Sequence, residues 1–250
     1  MAPRNPLNIG AAARAMSNFG FGHLRLVNPY EVAFREARSA VGASAVLSNA
    51  EEYKNVAEAV ADCALVVGTT AARRREPPQQ LRRLENGARL ARARLKSGNV
   101  ALLFGSEKRG LSNQDFSYCH WLMRIPTEEE SGSMNLGQAV AVCLYELVRT
   151  AKSTTRTEKA IPATAGHLER ITTLLFEALQ ASGYVKPSST ASSQEKIRRL
   201  VRHLQIPASD SEIWLGMLRQ ILWKIRSQQP SQRLQAPSTP ATLVDDTESR

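Results

Sequence analysis

A chain of 250 residues with 42% hydrophobic side chains can bury one large core or two modest ones, so disorder over most of its length is excluded. With 33 Lys and Arg against 23 Asp and Glu, the formal charge of +10 points to a polyanionic partner, without separating RNA, DNA and acidic lipid. Cys63, Cys119 and Cys143 are dispersed and form no C-x-x-C pair, so neither a disulfide framework nor a metal site is indicated, and a reducing cytoplasm fits best. No apolar run approaches the roughly 18 to 20 residues of a membrane span, and no secretory signal opens the chain.

In chain order, the opening residues have a loop composition, and the first regular element is already a helix, rich in Ala, over residues 9–18. Short apolar runs at 23–27, 64–68, 100–104 and 121–125 read as buried strands, and helices are predicted at 55–61, 81–96 and 136–150. Their alternation marks an α/β fold with a mainly parallel sheet, a domain that ends near residue 151. Residues 152–163 are polar and read as a linker. Helical spacing resumes with Leu168, Ile171, Leu175 and Leu179, then Ile197, Leu200, Val201 and Leu204, then Ile213, Leu215, Leu218, Leu222 and Ile225. These make residues 164–229 a small all-α domain. The Pro-, Ser- and Thr-bearing tail, 230–250, reads as disordered.

The charge is local. Residues 73–96 hold nine positive and two negative groups, a net of +7, whereas residues 1–72 balance to zero. Arg73, Arg74, Arg75, Arg82, Arg83, Arg89, Arg92, Arg94 and Lys96 are interleaved with Leu81, Leu84, Leu90 and Leu95 at roughly helical spacing, giving one packing and one basic face. A solvated Arg-rich helix without a ligand is the alternative reading.

Three clusters lie where strands end or loops turn into helices, the places where α/β sheets put ligands. The first begins Asn8-Ile9-Gly10 and reaches Arg14; on its own, Arg14 reads equally as a surface residue of an Ala-rich helix. Gly10 and the alanines let another backbone approach closely. The second, FGSEKRGL from Phe104 to Leu111, has two glycines five apart around a charged turn; it matches neither G-x-x-x-x-G-K-[ST] nor G-x-G-x-x-G, so a triphosphate or dinucleotide loop is disfavoured. The third passes from Ile125 through an acidic loop to Gly132, Ser133, Met134 and Asn135, where Ser133 or Asn135 is a candidate N-cap.

Taken together, the N-x-G-x-x-x-R segment, the FGSEKRGLS loop and the IP…SMNLGQAVAV segment resemble the three motifs of the SpoU branch of the SPOUT RNA methyltransferases, and VVGTTAARRR resembles that family's strand and adjoining loop. Over residues 4–226 the chain looks like the type that methylates tRNA ribose. The resemblance implies an α/β domain whose C-terminal part forms a trefoil knot, binding of S-adenosylmethionine there, and a homodimer with a shared site. It implies methyl transfer to the ribose 2′-hydroxyl of cytidine or uridine at position 32 of the anticodon loop. By the same resemblance Thr69, Thr70, Ala71, Gly105, Ile125, Gly132, Ser133 and Met134 would bind the cofactor. Arg14 would act at the ribose, with Glu107, Ser133 and Asn135 near it.

Arg73, Arg82, Arg83 and Arg89 would then dock tRNA phosphates, and Lys196, Arg198, Arg199 and Arg202 of the helical module would add a second grip. Family members place an apolar strand just before the segment that starts here at Arg4; these residues lack it, which implies a natural start upstream. The rival readings are ribosomal RNA ribose methylation on the same fold, and a non-catalytic RNA-binding protein. A DNA-binding reading has no helix-turn-helix or zinc pattern behind it.

Overall fold

The protein, a computed structural model, is described over residues 1–39, 45–71, 79–128, 134–149 and 161–228. It opens with α1 (Pro6–Asn18), whose first turn is capped by the Asn5 side chain accepting from the Leu7 amide, with Pro6 where no amide donor is needed. Then come β1 (Arg25–Val27), α2 (Glu31–Ser39), α3 (Ala45–Ser48), β2 (Glu51–Tyr53), α4 (Val56–Ala59), β3 (Cys63–Thr69) and β4 (Leu81–Arg83). The α/β part finishes with α5 (Leu84–Arg94), β5 (Asn99–Leu103), α6 (Asn113–Ser117), β6 (Trp121–Arg124) and α7 (Leu136–Val148). Three helices follow, α8 (Ala165–Ala181), α9 (Thr190–His203) and α10 (Ala208–Gln228).

Every ladder between the described strands is parallel: β1 pairs with β2, and a second sheet runs β4-β6-β3-β5. β3 is buried on both faces, which is why CALVVGT is an unbroken apolar run without alternation. On one face Leu65, Val67 and Met123 meet Ala88 of α5 and Val140 and Cys143 of α7; on the other Val66, Leu103 and Leu122 meet Val56, Val60 and Phe116. α1 lies against α7 so closely that a Cβ on Gly137 would fall 2.6 Å from that of Ala11. Gly10, expected to permit a close backbone approach, faces open space instead.

The four strands expected between residues 23 and 125 are all present, each within two residues of its expected ends. The helix expected over 81–96 is shorter at its start: residues 81–83 form β4, in register with Leu122, Met123 and Arg124. The reason lies in the leucines. Leu81 and Leu95 are exposed, and the buried face of α5 is Leu84, Gly87, Ala88 and Ala91. Small residues are needed there because Gly87 packs against Met123 and Trp121, leaving no room for a Cβ.

Helices α8, α9 and α10 enclose a core of Leu168, Ile171, Val201, Leu215 and Leu218. Leu200, Leu204 and Ile213, counted with the apolar stripes from spacing, are exposed. The helical unit is locked onto the sheet: the Gly166 amide donates to Ala61 O at 2.8 Å, and Ala165 is buried beside Val60 and Cys63. Among the described residues no helix is long and apolar enough to cross a membrane. Residues 151–160 and 229–250, with most of the expected linker and the expected tail, lie outside those described.

Candidate active site

Parallel strands deliver their C-terminal ends to one edge of a sheet, and here the ends of β3, β5 and β6 are held in register by Gly68 opposite Leu103 and Thr69 opposite Met123. Thr69 Oγ1 donates to Leu103 O at 2.9 Å, and the Thr70 amide donates to Met123 O at 3.0 Å, so the segment leaving β3 is tied to both neighbours. Thr69, Thr70, Ala71, Gly105 and Ile125 therefore sit at one edge. Phe104, Ile125 and Leu136 pack partly buried against the core beside it. Gly132 and Ser133 lie outside the described residues; Met134, half-buried, leads into α7.

The loop after β5 folds back on itself. The Gly110 amide donates to Ser106 O at 2.8 Å, and Gly110 takes φ +66°, a left-handed conformation suited to glycine. Gly105 lies so near that a Cβ on it would be 2.0 Å from Gly110 C. The loop is anchored beyond by buried Leu111 and by α6, where Ser112 and Asp115 form a reciprocal capping box.

Three motif residues join across this edge. Asn8 Nδ2 donates to Glu107 Oε1 at 3.1 Å, and Asn135 Nδ2 donates to Asn8 Oδ1 at 3.1 Å. Asn135 Oδ1 accepts from the Gly137 amide at 2.9 Å, making Asn135 the N-cap of α7. Burial works to raise the Glu107 carboxyl, but hydrogen bonds from its own amide, the Asn8 side chain and the Asn5 and Arg4 amides outweigh it and hold the group below its usual range. Glu107 is thus an ionised anchor for the start of α1. Asn8, which no site assignment from sequence included, is the hub of this chain of bonds; its only signal was its place at the head of the first motif.

Arg14 is exposed, and no described residue bonds to it. At 100° per residue it stands on the α1 face of Leu7 and Gly10, turned well away from Asn8 and about 9 Å further along the axis at 1.5 Å per residue. One chain therefore brings Glu107 and Asn135 together through Asn8 and does not bring Arg14 to them.

The basic stretch is partly as expected in position. Arg83 and Arg89 are exposed, Arg83 pairing with Glu85 at 3.4 Å. Arg82 is half-buried, donating to Gln80 Oε1 at 2.6 Å with its guanidinium 5.5 Å from the Trp121 ring centroid. Arg124, in register with Arg83, adds a cation that spacing did not flag. Arg73, Arg74 and Arg75 lie outside the described residues.

Arg198 is not on the surface, and neither it nor Arg202 offers the contact with RNA expected of it. Their side chains are 5% and 1% exposed, and both pair with Glu169 of α8. Arg198 Nη1 donates to Ser117 Oγ at 3.1 Å and Arg202 Nε to Tyr118 O at 3.0 Å, so they bind α9 to the α6 segment. Helical position, which placed them on a basic face, could not reveal that this face meets the sheet domain. Arg199 remains half-exposed. Among the described residues no three His, Cys, Asp or Glu side chains are grouped to hold a metal ion.

Residues 1–145 match the family described as SpoU rRNA Methylase. The chain is 34% identical over 241 residues, covering 94% of it and 90% of the relative, to the tRNA (cytidine/uridine-2′-O-)-methyltransferase TrmJ of Sodalis glossinidius (strain morsitans). It is 35% identical over 222 residues, 86% of each chain, to the protein of the same name from Yersinia enterocolitica. The crystal structure of TrmJ from Z. mobilis ZM4 aligns with a TM-score of 0.74 at 32% identity, covering 88% of this chain and 96% of that one. A methylase family protein from Neisseria gonorrhoeae aligns at 0.58 and 30% identity, covering 69% and 90%. With these motifs at the ends of a parallel sheet and with relatives matched over most of its length, this chain belongs to the SpoU methylase family.

Proposed function

We propose that this chain transfers a methyl group from S-adenosylmethionine to the ribose 2′-hydroxyl of a cytidine or uridine in the anticodon loop of tRNA, as a cytoplasmic homodimer. The observation that carries the reading is the gathering of separately encoded segments, residues 69–71, 105–110, 125 and 134–135, at one edge of a parallel sheet. The relatives' names supply the substrate: several are tRNA (cytidine/uridine-2′-O-)-methyltransferases.

The residues present suit this cofactor. Phe104, Ile125 and Leu136 offer apolar flanks for an adenine, and main-chain groups at the strand ends supply neutral donors and acceptors. S-adenosylmethionine supplies a methyl on a sulfonium, displaced in line by the ribose oxygen, whose proton must leave. A guanidinium stays protonated and is a poor base. Arg14 therefore orients the ribose hydroxyl and a flanking phosphate and stabilises developing alkoxide charge, with water or phosphate taking the proton.

The open α1 face of Leu7, Gly10 and Arg14, which carries Arg14 about 9 Å along the axis from Asn8, supports a site shared between two subunits. Glu107 and Asn135 position α1 and α7 around the cofactor loops. A trefoil knot in the later part of the domain belongs to the same reading. Residues 164–229, with Arg199, would meet the tRNA body.

The test is incubation with methyl-labelled cofactor and single tRNAs, followed by mapping of the labelled ribose. Label in the anticodon loop is expected; label confined to ribosomal RNA, or none, overturns the proposal. Arg14→Ala should abolish turnover and leave cofactor affinity nearly unchanged.

A further inference from the structure

Helix α10 carries two stripes. Ser211, Leu215, Leu218 and Leu222, three or four residues apart, are buried, and Leu215 and Leu218 belong to the core of the helical unit. A second stripe, Ile213, Met217 and Ile221, is spaced by four residues and stays 62%, 48% and 50% exposed. At about 100° per residue it lies within about 40° of Met217, and Asp210 and Lys224, both exposed, lie within about 20°. Single apolar side chains on a surface are ordinary, but three in line over two turns of one helix mark a face that meets something.

The row has the same order from either end. Counted from Met217, an isoleucine stands four residues before and four after, and charges of opposite sign stand seven before, at Asp210, and seven after, at Lys224. A helix so ordered is complementary to an antiparallel copy of itself. With Met217 of both chains on a two-fold axis, Ile213 comes level with Ile221 of the second copy and Asp210 with Lys224 of the second copy, at both ends at once. A parallel pair would instead set Asp210 against Asp210 and Lys224 against Lys224.

The charges are disposed for this. Glu212 and Arg226 are engaged within the chain, pairing with Arg170 at 3.8 Å and Glu177 at 2.9 Å and holding α10 on α8. No described residue bonds to the Lys224 ammonium, and the Asp210 carboxylate accepts only from the adjacent Ser209 hydroxyl, at 2.8 Å. A phosphate backbone calls for several cations, whereas this row holds one cation and an anion. The row is also separate from the α1 face. Ala165, at the start of α8, lies on the sheet face of Val66, whereas α1 and α7 share the opposite face, with Leu65 and Val67.

We propose that α10 is a contact between two copies of this chain, an antiparallel two-fold pair centred on Met217 and closed at its ends by Asp210 and Lys224. The contact is independent of methyl transfer. One helix row is a modest interface, so the association is concentration-dependent. Because it leaves the α1 face open, chains that also pair through α1 enter assemblies of four or more.

The experiment combines oxidative crosslinking of cysteine variants of the full chain with sedimentation over a range of concentrations. Cys63, Cys119 and Cys143 are all buried, so an added surface cysteine is the reactive one. Met217→Cys should give a covalent dimer. Ile213→Cys should not, because its two copies stand about 12 Å apart along the axis, beyond the roughly 7 Å that a disulfide spans between Cα atoms. The pair Ile213→Cys with Ile221→Cys should crosslink again.

In sedimentation, Met217→Glu should halve the mass reached at high concentration. Asp210→Lys should weaken association by about tenfold or more, and adding Lys224→Asp should restore it. Ile213→Cys crosslinking as well as Met217→Cys, a mass untouched by Met217→Glu, or no restoration in the charge-swapped pair overturns the proposal. Met217→Glu lowering Tm equally at all concentrations, with the mass unchanged, assigns the row to the chain's own residues and overturns it. Met217→Glu weakening tRNA binding with the mass unchanged assigns the row to RNA and overturns it too.

Discussion

Arg198 donates through Nε and Nη2 to both carboxylate oxygens of Glu169, at 2.9 to 3.1 Å, with its guanidinium 4.3 Å from the Tyr118 ring centroid. Arg202 Nη2 shares the same carboxylate at 3.3 Å. One anion thus compensates two buried cations at the contact between α8, α9 and the α6 segment. Glu169→Ala should therefore cost about 3 to 5 kcal/mol, because it strands two buried charges without their counter-ion. Glu212→Ala, removing the exposed partner of Arg170, should cost no more than about 1 kcal/mol. Urea melts of the two variants side by side check this, and equal losses would show that the Glu169 carboxylate is replaced by water.

The Gly105 loop separates two roles for glycine. Gly105→Ala forces a methyl to within 2.0 Å of Gly110 C, against backbone that cannot turn aside. Overpacking costs of about 1 to 3 kcal/mol are the least to be expected, together with loss of cofactor binding measured by calorimetry. Gly110 has open space around it and only its positive φ to protect, so Gly110→Ala should cost about 1 kcal/mol and retain binding. Cofactor affinity surviving in the Gly105 variant would contradict a binding role for this loop.

Much of this arrangement could be read from residue order. The strand at 63–69 announces itself as an apolar run because it is buried on both faces, and Asn135 announces itself as a cap because it precedes an apolar helix. β2 is Glu-Glu-Tyr and largely exposed, so it carries no periodic signal and exists through its ladder to β1. Arg198 and Arg202 carry the same signal as Arg199: a cation on a polar helix face looks alike whether it meets water or a buried Glu from another helix. A lone Asn early in a helix reads as local, which hides Asn8; its partners are Glu107 and Asn135, 99 and 127 residues away.

His120 sets an acid limit on stability. The Val66 amide donates to its Nδ1 at 3.1 Å, so the ring accepts there, and burial, aided by the nearby Arg202 charge, lowers its pKa to about 3. Unfolded, it titrates near 6.5. As pH falls below 6.5 the unfolded chain binds a proton that the folded chain refuses, so stability declines from pH 6.5 down to about 3. Asp62 and Glu107, whose carboxyls are held low, lose their contributions only at more acid pH, while the Met1 ammonium, held low by burial, adds to the fall from pH 8 downward, so the comparison with a His120 variant between pH 6.5 and 5 isolates His120. His120→Asn, whose Oδ1 can take the Val66 amide, should flatten the fall in Tm across that interval. A slope unchanged in the variant would place the proton elsewhere.

Exposure sorts the arginines offered to RNA. An exposed guanidinium that neutralises one phosphate contributes roughly one counterion to the salt dependence of binding, so Arg83→Gln and Arg89→Gln should each reduce the slope of log K against log salt by about 1 at most. Arg82 is committed to Gln80 and the Trp121 face, and Arg82→Gln should change the slope less and lower Tm more. Arg198→Lys keeps a cation opposite Glu169 but loses the fork that reaches Ser117 and Glu169 together, so it should lower Tm and leave the slope unchanged. Filter binding of the methylated tRNA between 50 and 200 mM salt, with Tm measured in parallel, decides each case. A reduced slope for Arg198→Lys with Tm unchanged would return that residue to the RNA surface.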